Sequence, residues 1–124
     1  MTCLVAIIGS GKGTWNQLLK LINAEEWEKV ILVGKPFFTE RFERFKTTLK
    51  DKNLELIKID FENKNYDEIV RELTDQLSKL ITGTEVALNL TSGTGKEHMS
   101  IISAILKTGL GIRFVDFDNG VKEV

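Results

Sequence analysis

The chain has 124 residues, of which 42% are hydrophobic and 28% are charged, and its formal net charge is −1. This length suits one domain with a real hydrophobic core, and no linker-like or low-complexity stretch divides it, so we expect a single domain over residues 1–124. A nearly neutral chain lacks the broad basic face that sequence-independent binding of long nucleic acid requires. A small anionic ligand held by two or three lysines is compatible with this charge.

The cysteine count and the hydropathy pattern indicate where the protein works. Cys3 is the only cysteine, so no internal disulfide can form and a reducing cytosol is expected. No stretch is long enough to span a bilayer, and no basic segment leads into a signal-peptide core. We therefore expect a cytoplasmic protein without a membrane partner.

Strand-like and helix-like segments alternate along the chain. Continuous apolar runs predict buried strands, and apolar residues at helical spacing predict amphipathic helices. The predicted strands are, in chain order, 3–8, 30–33, 54–59, 86–90 and 112–115. The helices between them present apolar faces at Trp15, Leu18, Leu19 and Ile22, then Phe38, Phe42, Phe45 and Leu49, then Ile69, Val70, Leu73, Leu77 and Ile81, and finally Met99, Ile101, Ile102, Ala104, Ile105 and Leu106.

Three of these segments carry more specific predictions. Charges mixed into segment 54–59 suit a strand near the edge of the sheet. The last helix, from about Lys96 to Lys107, is apolar on most of its circumference, so it needs a cover besides the sheet, and a second subunit is the expected one. Asp118-Asn119-Gly120 predicts a tight hairpin turn into a short final strand over 121–124.

The alternation predicts an α/β fold, a Rossmann-like three-layer sandwich. We expect a mostly parallel sheet of five to six strands, with helices on both faces and a C-terminal hairpin. Such sheets bind ligands at the C-terminal ends of their strands, where the strand order reverses. For the loops after strands one and four to act together, those two strands must be neighbours.

These two loops are rich in glycine, hydroxyl groups and lysine. They are Gly9-Ser10-Gly11-Lys12-Gly13-Thr14 and Thr91-Ser92-Gly93-Thr94-Gly95-Lys96. Glycine lets the backbone approach an anion, the N–H groups at the start of a helix point at it, and a lysine adds charge. Two such loops in one domain predict a single anion site built from both.

The first loop departs from the known nucleotide-binding patterns. A P-loop has a glycine five residues before Gly11, where this chain has Ala6, and a hydroxyl residue after Lys12, where it has Gly13. Trp15 stands where a dinucleotide-binding loop needs a small residue, and no acidic residue follows the second strand. An atypical P-loop protein and a pair of purely structural strand-to-helix turns remain as alternatives.

The second loop carries a more distinctive motif. It has an asparagine, a threonine, a small residue, Gly-Thr, a lysine and then a methionine, which are Asn89, Thr91, Ser92, Gly93, Thr94, Lys96 and Met99. This pattern resembles the signature of the CRISPR-associated Rossmann fold (CARF) family. It departs from that signature at Ser92, where glycine is frequent, and at the additional Gly95. The resemblance extends to the first loop and to the alternation over 3–115.

The resemblance implies a homodimer that binds a cyclic oligoadenylate, the second messenger of type III CRISPR defence, across its two-fold axis. Cyclic tetra-adenylate is the expected ring, and no cofactor is implied. The ligand contacts implied are Gly9, Ser10, Gly11, Lys12, Asn89, Thr91, Ser92, Gly93, Thr94, Gly95 and Lys96. Asn89 either pins the second loop through its amide or is only a satisfied polar residue at a strand end.

Some members of that family are ring nucleases, in which a ribose 2′-hydroxyl attacks the adjacent phosphorus without a metal. By this resemblance Ser10 would orient the hydroxyl or the phosphate, and Lys96 would stabilise charge on the phosphorane. The single histidine, His98, provides no acid–base pair, so any cleavage should be slow; we expect it to be a surface or interface residue. No cluster has metal-ligand spacing. A non-catalytic sensor domain of an effector or regulator is the alternative.

Overall fold

Six strands form the sheet of the computed structural model, which describes residues 2–9 and 12–124, with the side chains of 12–14 left out. The strands are β1 (Cys3–Ile7), β2 (Lys29–Gly34), β3 (Leu54–Lys58), β4 (Glu85–Asn89), β5 (Gly111–Phe117) and β6 (Val121–Glu123). The helices are α1 (Lys12–Asn23), α2 (Thr39–Thr48), α3 (Tyr66–Leu80) and α4 (Gly95–Lys107), and a 3-10 turn over Pro36–Phe38 precedes α2.

The strand order is β3-β2-β1-β4-β5-β6, and the first five strands run parallel while β6 is antiparallel to β5. β1 therefore lies between β2 and β4, and the strand order reverses at this point. The predicted pairing of strands one and four is confirmed, as is the edge position of β3. The hairpin between β5 and β6 is also confirmed, with Asn119 in the left-handed region at φ 56°.

Helices cover both faces of the sheet, as predicted. α1 and α2 pack on one face, where Leu4 and Ala6 of β1 contribute to the core. α3 and α4 pack on the other face, against Cys3, Val5 and Ile7. Every residue of β1 is buried because each face of this central strand carries a helical layer. The three-layer α/β sandwich is thereby confirmed.

Helix α4 is covered on the side that faces the sheet and uncovered on another. Ile101 and Ala104 are fully buried, whereas Met99 and Leu106 are 58% and 60% exposed. With Ile102, which is half-buried, the two exposed residues occupy positions i, i+3 and i+7, so they form one apolar stripe along the helix. None of the helices in the described part of the chain has both the length and the apolar character needed to cross a membrane.

Candidate functional site

The loops after β1 and β4 touch at the C-terminal edge of the sheet. The two strands run parallel in the register Cys3↔Val86 to Ala6↔Asn89, so the loops leave side by side. A Cβ atom added to Gly9 would lie 2.9 Å from both the Cβ and the Oγ of Ser92. Only glycine fits at this contact, which brings a residue from each loop together at the point where the strand order reverses.

The first loop is described only in part. Ser10 and Gly11 lie outside the described residues, as does the side chain of Lys12, so the roles predicted for them stay predictions. The indole N–H of Trp15 donates a hydrogen bond to the carbonyl of Gly9. Trp15, which departs from the dinucleotide-binding pattern, thus ties the first turns of α1 to the loop that precedes the helix.

Asn89, at the end of β4, holds the second loop against β5. Its buried amide nitrogen donates to the carbonyl of Val115 at 2.9 Å and lies 3.4 Å from Oδ1 of Asp116. Its amide oxygen accepts the hydroxyl of Thr91 at 2.8 Å. The amide therefore positions the loop, which is one of the two roles that the sequence left open, and its contact with a ligand stays a prediction.

A capping box fixes the point where the second loop becomes α4. The hydroxyl of Thr94 accepts the backbone N–H of Glu97 at 3.2 Å, and the buried carboxylate of Glu97 accepts the N–H of Thr94 at 2.7 Å. Gly93 precedes this cap with φ +102°, a conformation that residues with a Cβ rarely adopt. By helix geometry the amides of Gly95 and Lys96 have no carbonyl partner within α4 and are available to an anion.

His98 holds the second loop through a hydrogen bond to its backbone, a role that the sequence analysis missed. Its Nε2 lies 2.8 Å from the carbonyl oxygen of Ser92. A carbonyl oxygen only accepts hydrogen bonds, so Nε2 carries a proton and donates it. This contact could have been predicted, because His98 is in the first turn of a helix that follows a glycine loop and is therefore close to the backbone of that loop.

Lys96 extends away from the loop toward the start of α3. Its ammonium donates to the carbonyl of Lys64 at 3.0 Å and lies 5.6 Å from the centroid of the Tyr66 ring. The side chain is half-buried rather than locked in the core. A phosphate contact by Lys96 requires this side chain to turn back toward the loop, and its predicted roles in binding and catalysis stay predictions.

Across residues 2–9 and 12–124, no three His, Cys, Asp or Glu side chains are grouped so that they could hold a metal ion together. The second loop instead offers backbone amides and the hydroxyls of Thr91 and Thr94, which can donate to an anion, while the carboxylate of Glu97 is engaged in capping α4. Donors of this kind suit an anionic ligand held by hydrogen bonds.

Comparisons with known proteins find a relative by fold. No family model matches the chain, and no curated protein matches its sequence. Among solved structures, one of Can2 from Sulfobacillus thermosulfidooxidans, in complex with cyclic tetra-adenylate (cA4), is similar. The TM-score is 0.64 at 19% sequence identity, over 94% of this chain and 32% of the Can2 chain. The likeness shows a shared fold, and the present chain spans about a third of the length of Can2.

Proposed function

We propose that the chain binds a cyclic oligoadenylate, with cyclic tetra-adenylate as the expected ring, at the edge where the loops after β1 and β4 meet. The observation that carries this proposal is the contact between Gly9 and Ser92, which joins two phosphate-type loops into one surface. The shared fold with Can2, whose structure holds this ring, supports it. So does the resemblance of segment 89–99 to the CARF signature, which implies a role in CRISPR signalling.

The chemistry of the second loop fits a phosphodiester. The start of α4 offers the backbone amides of Gly95 and Lys96 together with the positive end of a helix dipole. Thr91 is exposed on the same loop, and its hydroxyl, which donates to Asn89 here, would turn its proton to a phosphate oxygen in the bound state. Lys96 exchanges the carbonyl of Lys64 for a phosphate, which is a stronger partner because it is charged. Lys12 and Ser10 act from the first loop in this proposal.

We further propose that two copies of the chain complete the site. A cyclic tetranucleotide has rotational symmetry, so a two-fold interface presents equivalent loops to its opposite phosphates. The exposed stripe of Met99 and Leu106 on α4 supports this proposal, and so does a groove of about 660 Å³ between α3 and α4 that Met99 and Tyr66 help to line. Tyr66 also contacts the ammonium of Lys96, so this surface adjoins the ligand edge.

The proposed activity is binding without fast turnover. The chain has a single histidine, and the Nε2 of that residue is engaged by the carbonyl of Ser92. Attack by a 2′-hydroxyl is accelerated by a positioned base and acid, each worth about 10²–10⁴-fold. With the one histidine occupied, we expect cleavage of the ring to be slow.

The function is tested by measuring the melting temperature of the protein with cyclic tetra-adenylate, cyclic hexa-adenylate and linear tetra-adenylate, each in the absence of metal. A separate sample with ATP and Mg²⁺ tests the P-loop alternative. At about 100 times its Kd, one ring bound by two chains should raise the melting temperature by about 5 °C. Chromatography after long incubation then reports whether the ring is intact. Stabilisation by ATP and Mg²⁺ but by none of the rings would overturn the proposal in favour of a P-loop protein.

The dimer has its own test. Leu106→Glu places a charge in the apolar stripe of α4, and we expect it to convert the dimer to a monomer in analytical ultracentrifugation. Thr48→Glu, at an exposed position at the end of α2 on the other face of the sheet, is the matched control and should leave the dimer intact. A wild-type chain that sediments as a monomer with and without the ring contradicts the two-copy site.

A further inference from the structure

The turn between β2 and α2 leaves the sheet beside the two loops. β2 is the parallel neighbour of β1, and the two strands pair up to Ile7↔Val33. A Cβ atom added to Gly34 would lie 3.6 Å from the Cβ of Ile8, the residue before Gly9. Lys35 and Phe37 lie one and three residues after Gly34, so both belong to the same C-terminal edge of the sheet as the ligand loops. The sequence analysis assigned no function to either residue.

Lys35 carries a positive charge that an anionic ligand can reach. Its Nζ lies 2.8 Å from Oε1 of Glu62, and the two side chains are 27% and 67% exposed. The hydrogen bond that Lys35 donates to Glu62 raises the pKa of Lys35, and the negative charges of Glu62 and Glu97 add to the effect.

The partner of Lys35 is easily displaced. An ion pair whose carboxylate is this exposed adds little to stability, because water solvates that carboxylate almost as well as the ammonium does. Glu62 is an exposed surface side chain that already places a carboxylate oxygen on the ammonium. A phosphate oxygen supplies the same negative charge at the same distance, so it can replace the carboxylate without any change in the fold.

Phe37 is an exposed aromatic ring next to this charge. The ring is 69% exposed, whereas its neighbour Phe38 is buried and anchors the turn. The centroids of the two rings are 4.6 Å apart with an interplanar angle of 67°, and Nζ of Lys35 lies 5.8 Å from the centroid of Phe37. An anchored ring with an uncovered surface beside a cation has the composition of sites that stack nucleic-acid bases and hold their phosphates.

We propose that Lys35 and Phe37 form a nucleotide subsite, in which one purine base stacks on Phe37 and the phosphate of the same nucleotide replaces Glu62 on Lys35. This inference rests on the proposed function, because the nucleotide is one unit of the ring bound by the two loops. The subsite adds a stacking contact with a base, which glycine loops and backbone amides do not provide. Glu62 acts as the internal competitor of the phosphate.

The test measures the affinity for cyclic tetra-adenylate over a series of salt concentrations. Lys35→Met should weaken binding and lower the slope of log K against log salt by about one for each subsite that the ring occupies. Phe37→Ala should weaken binding about 5- to 150-fold for each subsite that the ring occupies, without a change in slope, and Phe37→Tyr should retain affinity. Glu62→Gln should tighten binding, because it releases Lys35 and removes a competing negative charge.

Lys50→Met, at an exposed position near the other end of α2, is the matched control and should bind as the wild type does. The subsite is overturned, with the proposed function intact, if the wild type binds the ring and the variants at Lys35, Phe37 and Glu62 bind it equally well. Weaker binding by Glu62→Gln would show that the ion pair is structural and overturn the role of Lys35. A wild type that binds no ring overturns both proposals.

Discussion

The contact between the two loops can be tested by a pair of substitutions that should cancel. Gly9→Ala introduces a methyl group 2.9 Å from the Cβ and Oγ of Ser92, closer than the roughly 3.5–4.0 Å of an ordinary carbon–carbon contact. Neither side yields easily, because Trp15 holds the Gly9 carbonyl and His98 holds the Ser92 carbonyl. Overpacking of this kind destabilises a protein by about 1–3 kcal/mol. We expect that loss for Gly9→Ala, with weaker binding of the ring.

Ser92→Gly should reverse the effect. It removes both clashing atoms and leaves the Cα of residue 92 at 3.8 Å from the new methyl group, which is an ordinary contact. By itself Ser92→Gly should cost about 0.5–1 kcal/mol through backbone entropy. The double variant should therefore be more stable than Gly9→Ala alone, with a coupling free energy of about 1–2 kcal/mol in favour of the pair.

The assay is urea unfolding of the wild type, both single variants and the double variant, together with the affinity of each for cyclic tetra-adenylate. Additive effects of the two substitutions, or a Gly9→Ala variant as stable as the wild type, would refute the contact between the loops and the single site built on it.

Three further predictions concern individual residues. Asn89→Leu should lower the free energy of unfolding by about 2–4 kcal/mol, because it removes the hydrogen bonds to Val115 and Thr91 and leaves the carbonyl of Val115 without this donor. Asn53→Ala, at an exposed position, should change it by less than about 0.5 kcal/mol. Equal effects in urea unfolding would contradict the role of Asn89 in holding the loop. Gly93→Ala should lower the free energy of unfolding by about 1–3 kcal/mol, because residue 93 has a positive φ. Gly95→Ala, whose new methyl group would meet nothing within 4 Å, should leave stability unchanged or raise it. The reverse order in thermal denaturation would contradict the loop geometry. Burial raises the pKa of the Cys3 thiol, and the negative charge of Glu28 raises it further. Cys3 should therefore react with iodoacetamide at about pH 8 far more slowly in the folded protein than in urea, and equal rates would contradict its burial.

Much of the fold follows from local patterns in the sequence. β1 is apolar at every position, and only a central strand covered on both faces requires that. Segment 54–59 mixes charges into its apolar run, and β3 lies at the edge where such residues reach solvent. Because both patterns repeat over a few residues, they can be recognised without knowledge of the tertiary contacts.

The candidate site is only partly predictable in this way. The meeting of the two loops follows from strand order, but the partners of their side chains do not. Lys96 donates to Lys64, 32 residues away, because the packing of α3 on α4 places that carbonyl within reach. Lys35 donates to Glu62, 27 residues away, for a similar reason, since the two residues follow the neighbouring strands β2 and β3. These contacts depend on the relative position of whole elements, which residue spacing does not encode.

The central claim is that loops from two copies of the chain form one site for a cyclic oligoadenylate. Isothermal titration of the metal-free protein with cyclic tetra-adenylate tests this claim most directly, because it reports affinity and stoichiometry together. The account predicts saturable binding of one ring for every two chains, with the ring recovered intact. Absence of binding, or one ring for each chain on a protein that stays monomeric, would contradict it.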